Sequence, residues 1–332
     1  MTIHRSAVRT AASAALLATA LGFAAAPAIA ADLRGWNIHP EDYPVSAGMD
    51  FFTEEMEKRT EGRVTGKTFH GGVLGSQPDA IEQVRIGALD FAEFSLGPLG
   101  PIVPAANVVS LPFIFKSLPQ MYELMDGEVG ETIGAAMEEK GLVALGWYDA
   151  GARSFYNSTR PITQPADLEG LKVRVMNNDL FVGMVEALGG NASPMAYAEV
   201  LQSLKTGVID GAENNPPSFE SSSHYEAAKY YSLTEHLIIP EVLVMSKKAF
   251  DALSPEDQQI AREVGAESAD LQRGQWQDRQ EASMELVKEA GVEVNTIDDK
   301  GPFQDAMAGV YDGFLAANPD QAELVDMIRN AD

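Results

Sequence analysis

The sequence predicts an α/β fold built as two halves with a cleft between them. Helix-like and strand-like stretches alternate along the chain, and one helix–strand unit occurs twice, about 120 positions apart. A long helical pattern in the C-terminal part could brace both halves. Two α/β halves that face each other form a cleft, which is the usual place for a small ligand.

The first 30 residues have the pattern of a secretory signal. Arg5 and Arg9 precede an apolar run over residues 11–26, and an Ala-x-Ala site ends at Ala30. We expect cleavage there, which leaves Ala31 as the mature N-terminus. An uncleaved anchor is the alternative, but the run is shorter than the ~20 residues that a membrane helix needs.

Composition narrows the function of the mature chain. Its 302 residues are enough for two domains with their own cores. They include 22 basic and 49 acidic residues, a net charge of −27, which argues against binding to nucleic acid or anionic lipid. Because there is no cysteine, disulfides, thiolate metal sites and cysteine nucleophiles are excluded. An exported chain of this composition fits the bacterial periplasm best.

The repeated unit begins in the first half of the chain. The pattern there predicts a helix over 50–59, a strand over 63–69, a glycine-rich loop over 71–75, a helix capped by Ser76 and a strand over 88–95. Residues 80–93 align with residues 200–213: both copies have an apolar helix face, a glycine stop and an Asp-x-Ala-Glu sequence. We interpret this as two halves on similar plans, with chance similarity as the alternative.

A predicted strand within residues 170–178 carries the candidate binding centre. Leu171, Val173 and Val175 alternate with polar positions, so Arg174 stands near the C-terminal end of the strand, where α/β domains open on a cleft. Its guanidinium matches a carboxylate bidentately. The alternative is an arginine on a solvated face or paired with a protein carboxylate.

The long helical pattern begins at Ser254, a serine cap followed by proline and two acidic residues. It predicts one helix of about 36 residues, roughly 54 Å long. Two helices broken near Gly265 or Gly274 are the alternative.

Motifs of enzymes and metal sites are missing. There is no Gly-x-Ser-x-Gly elbow, phosphate loop or His-Glu-x-x-His, and the spacing of the four mature histidines matches no common metal site. We therefore expect no cofactor, no metal and no catalytic residue.

Several segments, in the right order along nearly the whole mature chain, resemble the DctP-type solute receptors of TRAP (tripartite ATP-independent periplasmic) transporters. They are Leu111–Phe115, Gly151–Tyr156, Pro165–Val175, Pro194–Met195 and Glu199–Asn214. The resemblance implies a periplasmic receptor that captures an organic acid and delivers it to a permease of a small and a large membrane subunit.

The resemblance also implies the type II periplasmic-binding-protein fold, a two-domain "Venus flytrap" braced by the long helix. We expect domain I to comprise residues 31–151 plus 240–280, and domain II residues 152–239 plus 281–332.

By resemblance, Arg174 clamps the ligand carboxylate, Arg153 is a second cleft arginine and Asn214 a polar group beside it. Asn177, after the strand, and Gln77 and Asp79, at a helix start, lie where chain ends should face the ligand. Capping and turn formation are the alternatives for these three residues.

Four segments resemble the hexuronate receptors within this family, namely His39–Pro44, Gly151–Tyr156, Asp210–Asn215 and His224–His236. Sugar hydroxyls would then meet His39, Gln77 and Asp79. Pro216 and Pro217 depart from the pattern, since an aromatic residue is expected there. A C4-dicarboxylate or another sugar acid is the alternative ligand. A remote alternative function is that of an exported enzyme for sugar acids. Such an enzyme would use His39 and either Asp79 or Glu213 as acid and base.

Overall fold

A computed structural model describes residues 31–331, and these residues form two β-sheets surrounded by helices, so the α/β prediction is confirmed. The strands are β1 (Ala31–Trp36), β2 (Val64–Phe69), β3 (Phe91–Ser95), β4 (Leu142–Tyr148), β5 (Ala152–Asn157), β6 (Lys172–Val175), β7 (Asn191–Pro194), β8 (Gly211–Asn214), β9 (Tyr230–Ile238), β10 (Glu241–Ser246) and β11 (Glu293–Thr296). The secretory pattern over residues 1–30 lies outside the described residues.

The helices surround these strands. They are α1 (Pro44–Arg59), α2 (Gln77–Ile86), α3 (Pro104–Val108), α4 (Leu118–Met125), α5 (Glu128–Glu138), α6 (Asp179–Ala187), α7 (Val200–Thr206), α8 (Pro216–Ser221), α9 (Lys247–Ala252), α10 (Pro255–Glu289), α11 (Gly301–Ala306), α12 (Ala308–Ala317) and α13 (Ala322–Asn330). Among the described residues, none of these helices combines the length and apolar character that crossing a membrane requires.

Each sheet mixes parallel and antiparallel strands. The first has the order β2-β1-β3-β10-β4, and β10 runs antiparallel to both of its neighbours. The second has the order β11-β9-β5-β8-β6-β7, and β5 runs antiparallel to both of its neighbours. We call the first sheet with its helices the first lobe, and the second sheet with its helices the second lobe.

The chain passes between the lobes twice within a few residues, from β4 to β5 and from β9 to β10. Strands of the first sheet come from residues 31–148 and 241–246, and those of the second from residues 152–238 and 293–296. We propose on this basis that the lobes are the two domains expected from the sequence, divided near residues 151, 239 and 280.

The repeated helix–strand unit is also repeated in its hydrogen bonds. Helices α2 and α7 both end on a left-handed glycine, Gly87 with φ 73° and Gly207 with φ 71°. Asp90 then accepts from the backbone N–H of Arg34 and donates its own N–H to the Arg34 carbonyl, at 2.8 and 2.9 Å. Asp210 makes the same two bonds to Lys172, both at 2.8 Å. This correspondence in hydrogen bonds supports two halves built on similar plans over chance similarity of sequence.

Helix α10 is one unbroken helix of 35 residues, so the break at Gly265 or Gly274 is wrong. Its Ala261, Val264 and Trp276 pack in the core of the first lobe, and its Val287 packs in the core of the second. Gly265 meets strand β4 so closely that a Cβ there would lie 2.6 Å from the Leu145 carbonyl oxygen. Gly265 therefore allows the close contact between the helix and the sheet and does not act as a hinge.

Two predicted boundaries are wrong. Helix α1 begins at Pro44 and not at residue 50, since a proline at the first helical position needs no N–H partner there. Strand β3 begins at Phe91 and not at residue 88, because Ala88 and Leu89 both donate their N–H groups back to the Gln83 carbonyl in the turn that ends α2.

Candidate functional site

A cleft of about 590 Å³, including the part that opens to solvent, lies between the lobes. The first lobe lines it with Ile38, His39, Ser76, Gln77, Pro78, Ser95, Pro98 and Glu241, and the second with Arg153, Arg174, Met176, Asn177, Met195, Ala196, Tyr197, Asn214 and Ser218. Six of the seven residues predicted from the sequence are in this lining. They are His39, Gln77, Arg153, Arg174, Asn177 and Asn214.

Arg174 is a buried cation without an acidic partner among residues 31–331. It lies near the end of β6 with 4% of its surface exposed, and its Nε and Nη2 donate to the Met195 carbonyl oxygen at 3.1 and 2.9 Å. No carboxylate of the described chain lies within 4.0 Å of it. Burial lowers the pKa of the guanidinium, and the charge of Arg153 adds to that effect. Because Nε and Nη2 each give one N–H group to the Met195 carbonyl, three of the five N–H groups of Arg174 remain available to a ligand.

Arg153 has an acidic partner. Strands β5 and β8 place Phe155 opposite Glu213, and the Glu213 carboxylate accepts from Nε of Arg153 at 2.6 Å and from Nη2 at 2.8 Å. Nη2 also donates to the Glu213 carbonyl, and Nη1 to Asn214 Oδ1. Burial by itself lowers the pKa of Arg153, but the charge and hydrogen bonds of Glu213 outweigh it and raise that pKa. The pair is neutral and leaves one N–H group for the cleft.

The predicted residues other than the two arginines and Asp79 sit at strand and helix ends. His39 follows β1 and stacks on Tyr43 with ring centres 4.0 Å apart. Gln77 at the start of α2 donates to the Ser95 carbonyl oxygen, which ties the helix start to β3. Asn214 Oδ1 accepts from Arg153 and from the N–H of Asn215, so the Asn214 amide can still donate. Asn177 is exposed at the edge of the cleft, just past β6.

Asp79 is not among the lining residues. Its carboxylate accepts from the N–H of Ser76 at 3.2 Å and from the Ser76 hydroxyl at 2.6 Å, which completes a capping box at the start of α2. The capping alternative therefore accounts for Asp79. Glu213, the other acid considered beside His39, is engaged by Arg153.

Sequence reasoning missed an acidic group on the first-lobe wall. Glu241 lines the cleft at the start of β10, and Glu93 lies on the same face because Leu243 pairs with Glu93 and Glu241 pairs with Ser95. Burial is the main cause that raises the pKa of Glu93, and the charge and side chain of Glu241 raise this pKa further. The match of Glu93 to Glu213 in the repeat was the signal that could have revealed it.

An aromatic residue was also missed. Tyr197 lies under the Arg174 guanidinium, whose Cζ is 5.9 Å from the ring centre, and its hydroxyl donates to the Ser218 carbonyl. Pro216 and Pro217, where an aromatic was expected, instead form the first turn of α8 behind the Asn215 cap. The cleft is therefore lined by an aromatic ring from the segment after β7.

The arrangement suits binding of a small polar anion. One lobe offers an unpaired cation with an aromatic ring beneath it, and the other offers an imidazole, an amide and acidic oxygens. A desolvated carboxylate is stable in such a place only with charge-assisted donors.

The family model described as "Bacterial extracellular solute-binding protein, family 7" (DctP) matches residues 37–318. A solute-binding protein of Chromohalobacter salexigens is 56% identical over 298 residues, which is 90% of this chain and 89% of the relative.

Two crystal structures of TRAP periplasmic solute-binding proteins share the fold. The protein from Sulfitobacter sp. NAS-14.1, with bound β-D-galacturonate, is 67% identical with a TM-score of 0.89, over 90% of this chain and 100% of that one. The protein from Roseobacter denitrificans, with bound β-D-glucuronate, is 58% identical with a TM-score of 0.90, over 91% and 100%.

Proposed function

Because the chain belongs to the DctP-type bacterial extracellular solute-binding proteins of family 7, we propose that it is the hexuronate receptor of a TRAP transporter. It binds glucuronate or galacturonate in the cleft, without chemical conversion, and passes the acid to a membrane permease. The family is one of receptors and not of enzymes.

The observation that carries this proposal is the unpaired charge of Arg174. Among the described residues the cleft has two arginines, and Glu213 neutralises one of them. A monoanionic ligand restores charge balance at Arg174 through its carboxylate. The single remaining N–H of Arg153 and the amide of Asn214 are the second contacts we propose for that carboxylate or a neighbouring hydroxyl.

The first-lobe wall supports a sugar acid over a dicarboxylate. A second carboxylate would need a second cation, but that wall contributes His39, Gln77 and Glu241 to the cleft and no lysine or arginine among the described residues. Hydroxyl groups can both donate and accept, so they suit such a mixed wall. The galacturonate and glucuronate bound by the two structural neighbours agree with this choice.

We propose further that the receptor works in the periplasm with a small and a large membrane subunit. The extracellular family and the secretory pattern before Ala31 support this location. Mass spectrometry of periplasmic protein is expected to show Ala31 as the first residue, and an intact apolar run would contradict it.

Calorimetry with glucuronate, galacturonate, succinate and malate tests the proposed ligand. We expect the hexuronates to bind more tightly than either dicarboxylate, and NMR of the mixture to show the acid unchanged. Tighter binding of a dicarboxylate would contradict the hexuronate assignment, and appearance of a product would contradict the receptor role.

A further inference from the structure

We propose that Glu241, together with the adjacent His39 and the deeper Glu93, forms an acid subsite that accepts hydroxyl groups of the ligand and excludes a second carboxylate. The subsite shares a single proton between the two glutamates. This inference rests on the proposed function, because it assigns the far end of the same ligand. We call the three residues the acid subsite.

Strand pairing builds the acid subsite. Strand β10 lies between β3 and β4, and its antiparallel register with β3 puts Glu93 and Glu241 diagonally on one face. One side-chain ligand atom from each of His39, Glu93 and Glu241 lies within 4.8 Å of the others. His39 Nε2 is 3.8 Å from Glu241 Oε1.

The acid subsite has polar atoms that the described protein leaves unsatisfied. Glu93, His39 and Glu241 are 1%, 5% and 7% exposed, yet Oε1 of Glu93, Nδ1 of His39 and Oε2 of Glu241 have no hydrogen-bond partner among residues 31–331. Buried polar atoms normally have partners, since an unmade hydrogen bond is costly. Because His39 and Glu241 line the cleft, a ligand can supply hydrogen-bond partners to these two side chains.

Two carboxylates this close cannot both be ionised in a buried place. Glu93 is the deeper of the two, and burial raises the pKa of its carboxyl group, so we place the shared proton on Glu93. The negative charge that the pair shares then lies on its cleft side, where Glu241 is the lining residue. The other ionisable groups that face the pair are Tyr43, Tyr148, Asp149 and Arg153, of which only Arg153 is a cation, and Glu213 already neutralises it.

This charge distribution discriminates between ligands. A sugar hydroxyl donates to the Glu241 carboxylate in a charge-assisted hydrogen bond. The second carboxylate of succinate or malate, held at the other end by Arg174, would meet a like charge without a counter-ion. Specificity of this kind depends on the repulsive element as much as on the attractive one.

Paired conservative variants test the acid subsite by calorimetry with glucuronate and malate. Glu241→Gln keeps the shape but loses the charge, so we expect roughly tenfold to a hundredfold weaker glucuronate binding and a smaller preference over malate. Glu93→Gln resembles the protonated acid and leaves the Glu241 carboxylate in place, so it should weaken glucuronate binding less than Glu241→Gln does. Unchanged glucuronate binding by Glu241→Gln, with wild type binding glucuronate well, would overturn the acid subsite and leave the receptor role intact.

A second measurement does not depend on ligand binding by a variant. Infrared spectroscopy of wild-type protein at pH 7 should show a protonated carboxyl band that Glu93→Gln removes, and absence of this band in wild type would overturn the shared proton. A bound cation is the competing use of two carboxylates and an imidazole. Wild type treated with EDTA should bind glucuronate as before, whereas affinity that is lost and then restored by added calcium would overturn the proposal. Wild type that prefers malate would contradict both this inference and the hexuronate assignment.

Discussion

Arg153 and Glu213 form a buried bidentate ion pair, with Nε–Oε2 and Nη2–Oε1 distances of 2.6 and 2.8 Å. Neither side chain exposes more than 6% of its surface. Arg174 lies in the same cleft and has only a carbonyl oxygen as its hydrogen-bond partner among the described residues. The two arginines therefore have different tasks, and single substitutions should separate them.

Substitution of Arg174 should affect binding and not folding. Arg174→Ala removes one partner of a buried charged contact, which commonly costs ~2–5 kcal/mol, or roughly thirtyfold to several thousandfold in affinity. Arg174→Lys should lose less, because a point charge remains without the planar fork. Calorimetry with glucuronate and thermal melting of the ligand-free proteins measure the two effects. We expect the melting temperature to stay or rise, since an uncompensated buried cation is removed.

Substitution of Arg153 should affect folding first. Arg153→Met leaves the Glu213 carboxylate buried without its partner, and breaking such a pair costs about 3–5 kcal/mol of unfolding free energy. The double variant Arg153→Met/Glu213→Leu should recover much of that loss, because an apolar pair of similar volume replaces the charges. Urea unfolding of both variants beside Arg174→Ala is the measurement. Wild-type stability of Arg153→Met would show that the pair does not support the fold.

The two glycines of helix α10 form a matched pair. A Cβ at Gly265 would collide with Leu145, whereas a Cβ at Gly274 would have nothing within 4 Å. We expect Gly265→Ala to lower the unfolding free energy by ~1–3 kcal/mol through overpacking. Gly274→Ala should raise it by ~0.5–1 kcal/mol, because alanine loses less chain entropy in a helix. Urea unfolding should give opposite signs, and equal effects would contradict the close approach of α10 to β4.

His224 should make the protein sensitive to acid. Burial, and then the charge of Arg174, lower its pKa to about 3 from the usual value of 6.5. The unfolded chain binds a proton below pH 6.5 while the folded chain does not, so this contribution to stability is complete above pH 6.5 and is lost as pH falls toward 3.

The variant His224→Gln tests this linkage and can keep an acceptor for the Tyr156 hydroxyl, which lies 2.7 Å from Nδ1. Urea unfolding between pH 4 and 7 should show a shallower pH dependence than wild type, by up to ~1.4 kcal/mol per pH unit. An identical slope in the two proteins would mean that another group carries the acid sensitivity.

Local patterns in the sequence were enough to predict the strand position of Arg174, the repeated helix–strand unit and helix α10. Period two placed Arg174 at a strand end, and the Ser254 cap located the start of α10. Glu93 and Glu241 could not be paired in this way, because β10 enters the first sheet between two strands that precede it by about 100 residues or more. Such long-range pairing leaves no local period. Tyr197 was missed since it lies in a single short turn after β7.

Met195 holds Arg174 through its backbone carbonyl and not through its side chain. Every amino acid carries that oxygen, so no substitution at position 195 can delete the acceptor, and only a shift of the chain can. The Met195 side chain also lines the cleft, where its size helps to set the shape of the site. Mutation at position 195 can therefore reshape the cleft while the carbonyl that positions Arg174 is kept, so related receptors could change their ligand preference and keep the carboxylate contact proposed for this arginine.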